Sequence, residues 1–164
     1  MPPSRPVLYL AGPEVFRPDA VAEGARLKAL CTARGLEGVY PLDGPLDADA
    51  SAIRQRCIDA IERASAVLAN ISPFRGPHMD PGTAFELGYA QARGRPLFLW
   101  SVDARPLRDR IPAVGAGLRD AAGDLIEDFG LSENLMITPP GAVVHTAPEA
   151  AIAAAAACLL GRSR

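Results

Sequence analysis

Two carboxylates stand six positions apart in Asp80-Pro-Gly-Thr-Ala-Phe-Glu86. A helix opening at Pro81 would carry Asp80 at its mouth and Glu86 within its first two turns, so the pair could face one cleft. Paired carboxylates suit chemistry at a glycosidic carbon. One protonates or holds the leaving group while the other attacks as oxocarbenium-like charge develops. That division of labour requires environments that push the two pKa values apart. The same residues also read as helix punctuation. Asp80 before Pro81 is an ordinary N-cap with proline at the first helical position, and Thr83-Ala-Phe-Glu86 fits the S/T-x-x-E capping box. Acidic groups in a first turn are stabilised by the helix dipole in any case. Residue types and spacing leave both readings open.

The elements that must position these groups alternate along the chain. Val7-Leu-Tyr-Leu-Ala11 is a short apolar run stopped by Gly12-Pro13, the pattern of a strand buried on both faces. Residues 18–34 carry Val21, Leu27, Leu30 and Cys31 at near-helical spacing, with Gly35 as a C-terminal cap. A short strand is expected at 38–41. After a loop at 43–49, Ser51 can cap a helix bearing Ile53, Cys57 and Ile61. Strands are expected at 66–71, 96–100 and 142–145. Helices are expected at 81–93 and after Thr146-Ala-Pro-Glu149, which fits a capping box. Such alternation implies a parallel sheet with right-handed crossovers. Residues 102–141 are broken by Pro106, Pro112, Gly115, Gly117, Gly123 and Gly130, and a long irregular insert of this kind tends to be functional.

At 164 residues the chain suits one domain, 1–164, with one core. A net charge of −2 offers no basic face for nucleic-acid phosphates, so a nucleotide-like ligand would be small. Three cysteines, Cys31, Cys57 and Cys158, lack CxxC spacing and read as reduced residues of a cytoplasmic protein. No apolar stretch precedes Val7, and later apolar runs fall short of the ~20 residues a membrane span needs. Neither a leader nor a membrane association is expected.

Ligands of an open parallel sheet lie beyond the carboxyl ends of its strands, which draws attention to residues 9–13, 70–86 and 128–136. Tyr9-Leu-Ala-Gly-Pro13, Ala66-Val-Leu-Ala-Asn70, Pro73-Phe-Arg-Gly76, Asp80-Pro-Gly-Thr-Ala-Phe-Glu-Leu-Gly-Tyr-Ala90 and Ser132-Glu-Asn134 follow one another in an order and spacing that resembles the nucleoside 2-deoxyribosyltransferase family. The resemblance runs over roughly residues 8–137. It implies an α/β, flavodoxin-like (Rossmann-like) fold, a parallel five-stranded sheet with helices on both faces. It also implies exchange of the nucleobase of 2′-deoxyribonucleosides by double displacement, with retention at C1′ and neither metal nor organic cofactor.

By that resemblance Glu86 is the nucleophile, Asp80 the acid that contacts the base, and Tyr9 the hydroxyl that orients Glu86. Asn134, within Ser132-Glu133-Asn134, resembles an asparagine that a neighbouring subunit inserts toward the sugar hydroxyls, so a homo-oligomer with shared sites is expected. The chain departs from the family on the second helix, where some members carry an aspartate or asparagine near the base and this chain has Cys57, with Asp59 close by. Gly12 is expected where a ligand nears the backbone. Phe16, with Phe74, could sandwich a flat base or belong to the core. Arg75 could cover the ligand, whereas His78 and His145 read as a solvated and a structural histidine. Two rivals remain. A 2′-deoxynucleoside 5′-monophosphate N-glycosidase would need a phosphate site and tends to place serine where this chain has Asp80; a nucleotide-sensing module would bind without turnover.

Overall fold

The computed structural model describes residues 5–45, 49–115 and 117–161. The expected absence of a leader before Val7 and part of the expected 43–49 loop fall outside these residues.

Short, mostly apolar runs form the strands β1 (Val7–Ala11), β2 (Glu37–Val39), β3 (Ala66–Asn70), β4 (Leu97–Trp100) and β5 (Val144–His145). They alternate with α1 (Ala20–Ala33), α2 (Ala50–Arg63), α3 (Pro81–Ala92) and, after the short α4 (Leu107–Arg110), α5 (Pro148–Gly161). All strand pairs are parallel, in the order β2-β1-β3-β4-β5. This is the doubly wound order of flavodoxin-like folds, whose direction of winding reverses between β1 and β3.

Side-chain alternation splits the core into two layers. Leu8, Leu10, Ala66, Leu68 and Trp100 face Leu27 and Cys31 of α1 and Ala151, Ile152 and Ala155 of α5. Tyr9, Ala11, Val67, Ala69 and Leu99 face Ala60 and Ile61 of α2 and Leu87 and Ala90 of α3. The register Tyr9 to Val67 and Leu10 to Leu68 keeps each residue on its layer across the sheet. A one-residue slip would move Tyr9 from the α2/α3 layer to the opposite one.

Several boundaries differ from expectation for local reasons. β2 ends at Val39 because the Tyr40 amide donates to Asp43 Oδ2 (2.9 Å) in a turn and Pro41 has no N–H. α1 begins at Ala20, since residues 17–20 close a turn through Ala20 N and Arg17 O (3.1 Å). The cap of α2 is Asp49, whose Oδ1 accepts from Ala52 N at 2.8 Å, and not Ser51. β5 is only Val144–His145, because Ala142 N is committed to Pro139 O (2.9 Å) in a turn. Gly35 does follow α1, at φ 78°, and its amide donates to Thr32 O as a helix terminator.

Candidate active site

α3 carries both carboxylates and treats them differently. Asp80 caps the helix: its Oδ2 accepts from Thr83 N (2.8 Å) and Thr83 Oγ1 (2.9 Å), and the residue is 5% exposed. The punctuation reading therefore holds for Asp80, without removing it from the cleft. It fails for Glu86. The Glu86 carboxylate does not turn back to cap the helix but accepts a 2.6 Å hydrogen bond on Oε1 from the hydroxyl of Tyr9, 77 positions earlier. Tyr9 is fully buried in the sheet, on the face that α2 and α3 cover, so its hydroxyl rises from β1 toward α3. Oε1 is held in place and Oε2 is left for other chemistry.

Burial dominates the electrostatics. It pushes the Glu86 carboxyl up to about 7; the negative charge of Asp80 adds to the rise and the Tyr9 hydrogen bond partly offsets it. Burial likewise drives the Tyr9 phenol far above its ordinary range, reinforced by the nearby Glu86 charge, so it remains a proton donor. The Cys57 thiol is pushed up mainly by burial and stays neutral.

Glu86, Asp80 and Cys57 share a cavity of about 300 Å³, walled by Gly12, Val15, Phe16, Pro41, Leu42, Ile53 and Cys57 and floored by Asp80, Thr83 and Glu86, with Tyr9 behind Glu86 and outside the lining. Its walls come from the segments after β1 and β2, from α2 and from the mouth of α3, beside the switch point between β1 and β3. Cys57 lines it, whereas Asp59 is turned to Gln55 Nε2 (2.8 Å) and does not. A mostly apolar slot with carboxylates at one end fits a flat heterocycle whose ring edge must be hydrogen-bonded.

Gly12 lines the cavity, and a Cβ there would come within 2.0 Å of the Glu14 carboxylate, so a protein group by itself calls for glycine at this position. Glu14, absent from the sequence reasoning, is 3% exposed, and its Oε1 accepts from Asn70 Nδ2 at 2.5 Å. Asn70 in turn accepts from Ser72 N at 2.9 Å. This network braces the ends of β1 and β3. Only tertiary structure reveals it, since a glutamate in Pro13-Glu14-Val15-Phe16 looks like any solvated acid. Phe16 and Phe74 do not form two jaws for a base: their rings stack on each other at 5.3 Å. Arg75 covers both rings, 5.3 Å from the Phe16 centroid and 4.6 Å from that of Phe74. Phe16 instead forms one wall of the cavity and is 57% exposed.

Ser132 and Asn134 lie elsewhere in the chain. Ser132 lines a separate cleft with Ala104, Leu131 and Thr138, and its carbonyl accepts from Arg110. Asn134 donates to Glu127 and accepts from Met136 N at 3.0 Å. Neither borders the Glu86 cavity of its own chain. Glu133, between them, is buried and bonds the loop that precedes Asp80. Among the described residues, no group of three or more His, Cys, Asp or Glu is arranged to hold a metal, and no helix is long and apolar enough to cross a membrane.

Fold and cavity together define a flavodoxin-like α/β enzyme with two unequal carboxylates at its switch point. The sequence model of nucleoside 2-deoxyribosyltransferase matches residues 8–136, and the chain belongs to that family of pentosyl-transferring enzymes. It is similar to a 2-deoxyribosyltransferase from Leishmania mexicana, at 38% identity and a TM-score of 0.82, over 92% of this chain and 97% of that one. A 2-deoxyribosyltransferase from Bacillus psychrosaccharolyticus, 19% identical with a TM-score of 0.50 over 75% of this chain and 98% of that one, shares the fold. An uncharacterized protein of Schizosaccharomyces pombe is 33% identical over 157 residues, 80% of this chain and 74% of that protein.

Proposed function

We propose that this protein exchanges the nucleobase of 2′-deoxyribonucleosides through a covalent deoxyribosyl ester on Glu86. The observation that carries the reading is the 2.6 Å bond from Tyr9 to Oε1 of Glu86, a carboxylate that lines one cavity with Asp80. In the first half-reaction Glu86 Oε2 attacks C1′ as the C1′–N bond breaks. The bonding electron pair goes to the base nitrogen, and Asp80, which holds the one proton of the pair while Glu86 is ionised, passes it to the departing base. In the second, an incoming base attacks C1′, returns its proton to Asp80 and expels the Glu86 carboxylate. Two inversions leave the configuration at C1′ retained. Tyr9 stabilises the charged nucleophile and fixes its rotamer, and the dry walls raise the worth of both carboxylates.

Asn134 has no role in its own chain's cavity, which supports a homo-oligomer in which a neighbour supplies it toward the sugar. The proposed setting is cytoplasmic nucleoside salvage, with deoxyribonucleosides and free bases as partners and with neither nucleic acid nor membrane. The 5′-monophosphate N-glycosidase reading is less well supported, because among the described residues the cavity lining holds neither Lys nor Arg for a phosphate.

The test is to incubate the protein with 2′-deoxyinosine and free adenine, and separately with 2′-deoxyuridine and free cytosine, and to chromatograph the mixtures. A swapped nucleoside supports transfer; free sugar alone would replace it with hydrolysis. A 2-deoxy-2-fluoro nucleoside should leave an adduct on the protein, since fluorine disfavours the oxocarbenium-like state. An adduct mapped by mass spectrometry to a residue other than Glu86 would refute the covalent assignment.

A further inference from the structure

The loop that delivers Asp80 to the cavity is held from outside by the irregular insert. Glu133 is 2% exposed, and its carboxylate collects donors from both segments. Oε2 accepts from Met79 N at 2.8 Å, the amide immediately before Asp80. Oε1 sits 2.7 Å from His78 Nδ1 and accepts from Asn134 N at 3.1 Å. Arg110 completes the arrangement. Its Nη2 lies 3.8 Å from Glu133 Oε2 and donates to Ser132 O, while its Nη1 donates to Pro77 O at 2.9 Å. Pro77, His78 and Met79 are thus gripped one after another, and Phe74 N closes the same loop onto His78 O at 2.8 Å. A buried carboxylate without such donors would cost several kcal/mol, so the geometry is strongly specified from both sides.

We propose that Glu133, backed by Arg110, is a positioning residue for Asp80, setting the acid at the distance from which it protonates the leaving base. The inference rests on the transferase reading above. Among the described residues Asp80 is otherwise fixed from its helix side, by Thr83 on its carboxylate and by Ala84 N, which donates to Asp80 O at 3.0 Å. Its chain-side anchor is the Met79 peptide that Glu133 holds. Glu133 neither lines the cavity nor bonds Glu86, so it acts on proton delivery and leaves the nucleophile alone.

Two donors separate that role from a general structural one. The base of 2′-deoxyinosine departs well only if it is protonated. The base of 7-methyl-2′-deoxyguanosine already carries positive charge and departs without a proton. With adenine as acceptor and base release followed through the first turnover, Glu133→Gln should slow 2′-deoxyinosine about 10–100-fold, the scale of a misplaced catalytic group. It should leave 7-methyl-2′-deoxyguanosine close to the wild-type rate. Asp80→Asn should show the same donor pattern, and the double variant should be little worse than Asp80→Asn alone, because both act on one proton transfer.

Equal slowing of both donors, the result expected if the fold or the Asn134 sugar contact were disturbed, would overturn the proposal, as would unchanged rates with 2′-deoxyinosine. If Glu133→Gln does not fold, Arg110→Lys loosens the same grip and should give the same donor split, and its absence there would be equally decisive. A wild-type protein that exchanges the base of neither donor would instead refute the transferase reading itself.

Discussion

The α3 region and the 102–141 insert solve the problem of placing polar groups in opposite ways. Tyr9 and Glu86 ride on regular elements whose direction is dictated by strand register and helical phase, and a single 2.6 Å hydrogen bond joins them. The insert has little regular structure beyond α4. It holds its shape through the buried ion pair of Glu133 with Arg110 and the half-buried hydrogen bond from Asn134 to Glu127, while Leu125, Phe129 and Met136 stay exposed. Rigid elements fix the reacting groups to within tenths of an ångström. An irregular segment can reach past the edge of its own sheet. On the proposed reading, the comparison teaches that chemistry sits on the first region and sugar binding on the second.

The largest effect expected from breaking this division is at Glu86. Glu86→Ala should lower transfer roughly 10⁴-fold or more, because it deletes the route itself, while circular dichroism shows an intact fold. Near-normal turnover in the folded variant would return Glu86 to the role of a helix residue. On the insert side, Asn134→Ala alone should impair transfer. Mixing it with Glu86→Ala, under conditions where subunits exchange, should regenerate sites holding both intact residues and raise activity above either parent. Proven exchange without recovery, or an active monomer, would confine Asn134 to its own chain.

Tyr9→Phe tests the join inside the first region. It keeps the ring in the sheet but removes the bond to Glu86, which should slow transfer about 10–100-fold. With 7-methyl-2′-deoxyguanosine, whose base leaves without a proton, the Glu86 carboxyl, at about 7, need only be ionised to attack, so the rate should rise as pH passes through that value. Tyr9 lowers this pKa. Its loss should therefore move the acidic limb of the rate profile to higher pH, and a limb that stays put would remove Glu86 as its origin.

The remaining effect is on stability. An unfolded glutamate releases its proton near 4.5, whereas folded Glu86 holds it to about 7. Below 4.5 both states are protonated and no penalty exists. Between the two values the unfolded state gains charge first, so stability is lost as pH rises, and the loss levels off above 7. Glu86→Gln removes that penalty and should raise Tm relative to wild type at pH 8, by on the order of 3 kcal/mol of stability, with little gain at pH 4.5. An equal gain at both pH values would assign the change to packing.

Much of this was legible in the chain as written. Apolar runs punctuated by Gly12-Pro13 and Gly35 located the strands and helices, and Asp80 before Pro81 located the mouth of α3. Both are local signals, carried by side-chain periodicity and by backbone preferences within a few residues. Boundaries failed where a side chain or amide found a partner just outside the pattern, as at Asp49, Tyr40 and Ala142.

Residue types and family likeness were enough to nominate Tyr9, Asp80 and Glu86. They left open whether Glu86 closed a capping box or faced a cleft. Tertiary structure decided that, together with the burial of Glu14 against Asn70, the stacking of Phe16 on Phe74, and the grip of Glu133 on Met79. The physical reason is common to all four. Each depends on the fold bringing together groups 54 to 77 positions apart, and a hydrogen bond or ring stack at that separation leaves no periodic trace in either of the segments that make it.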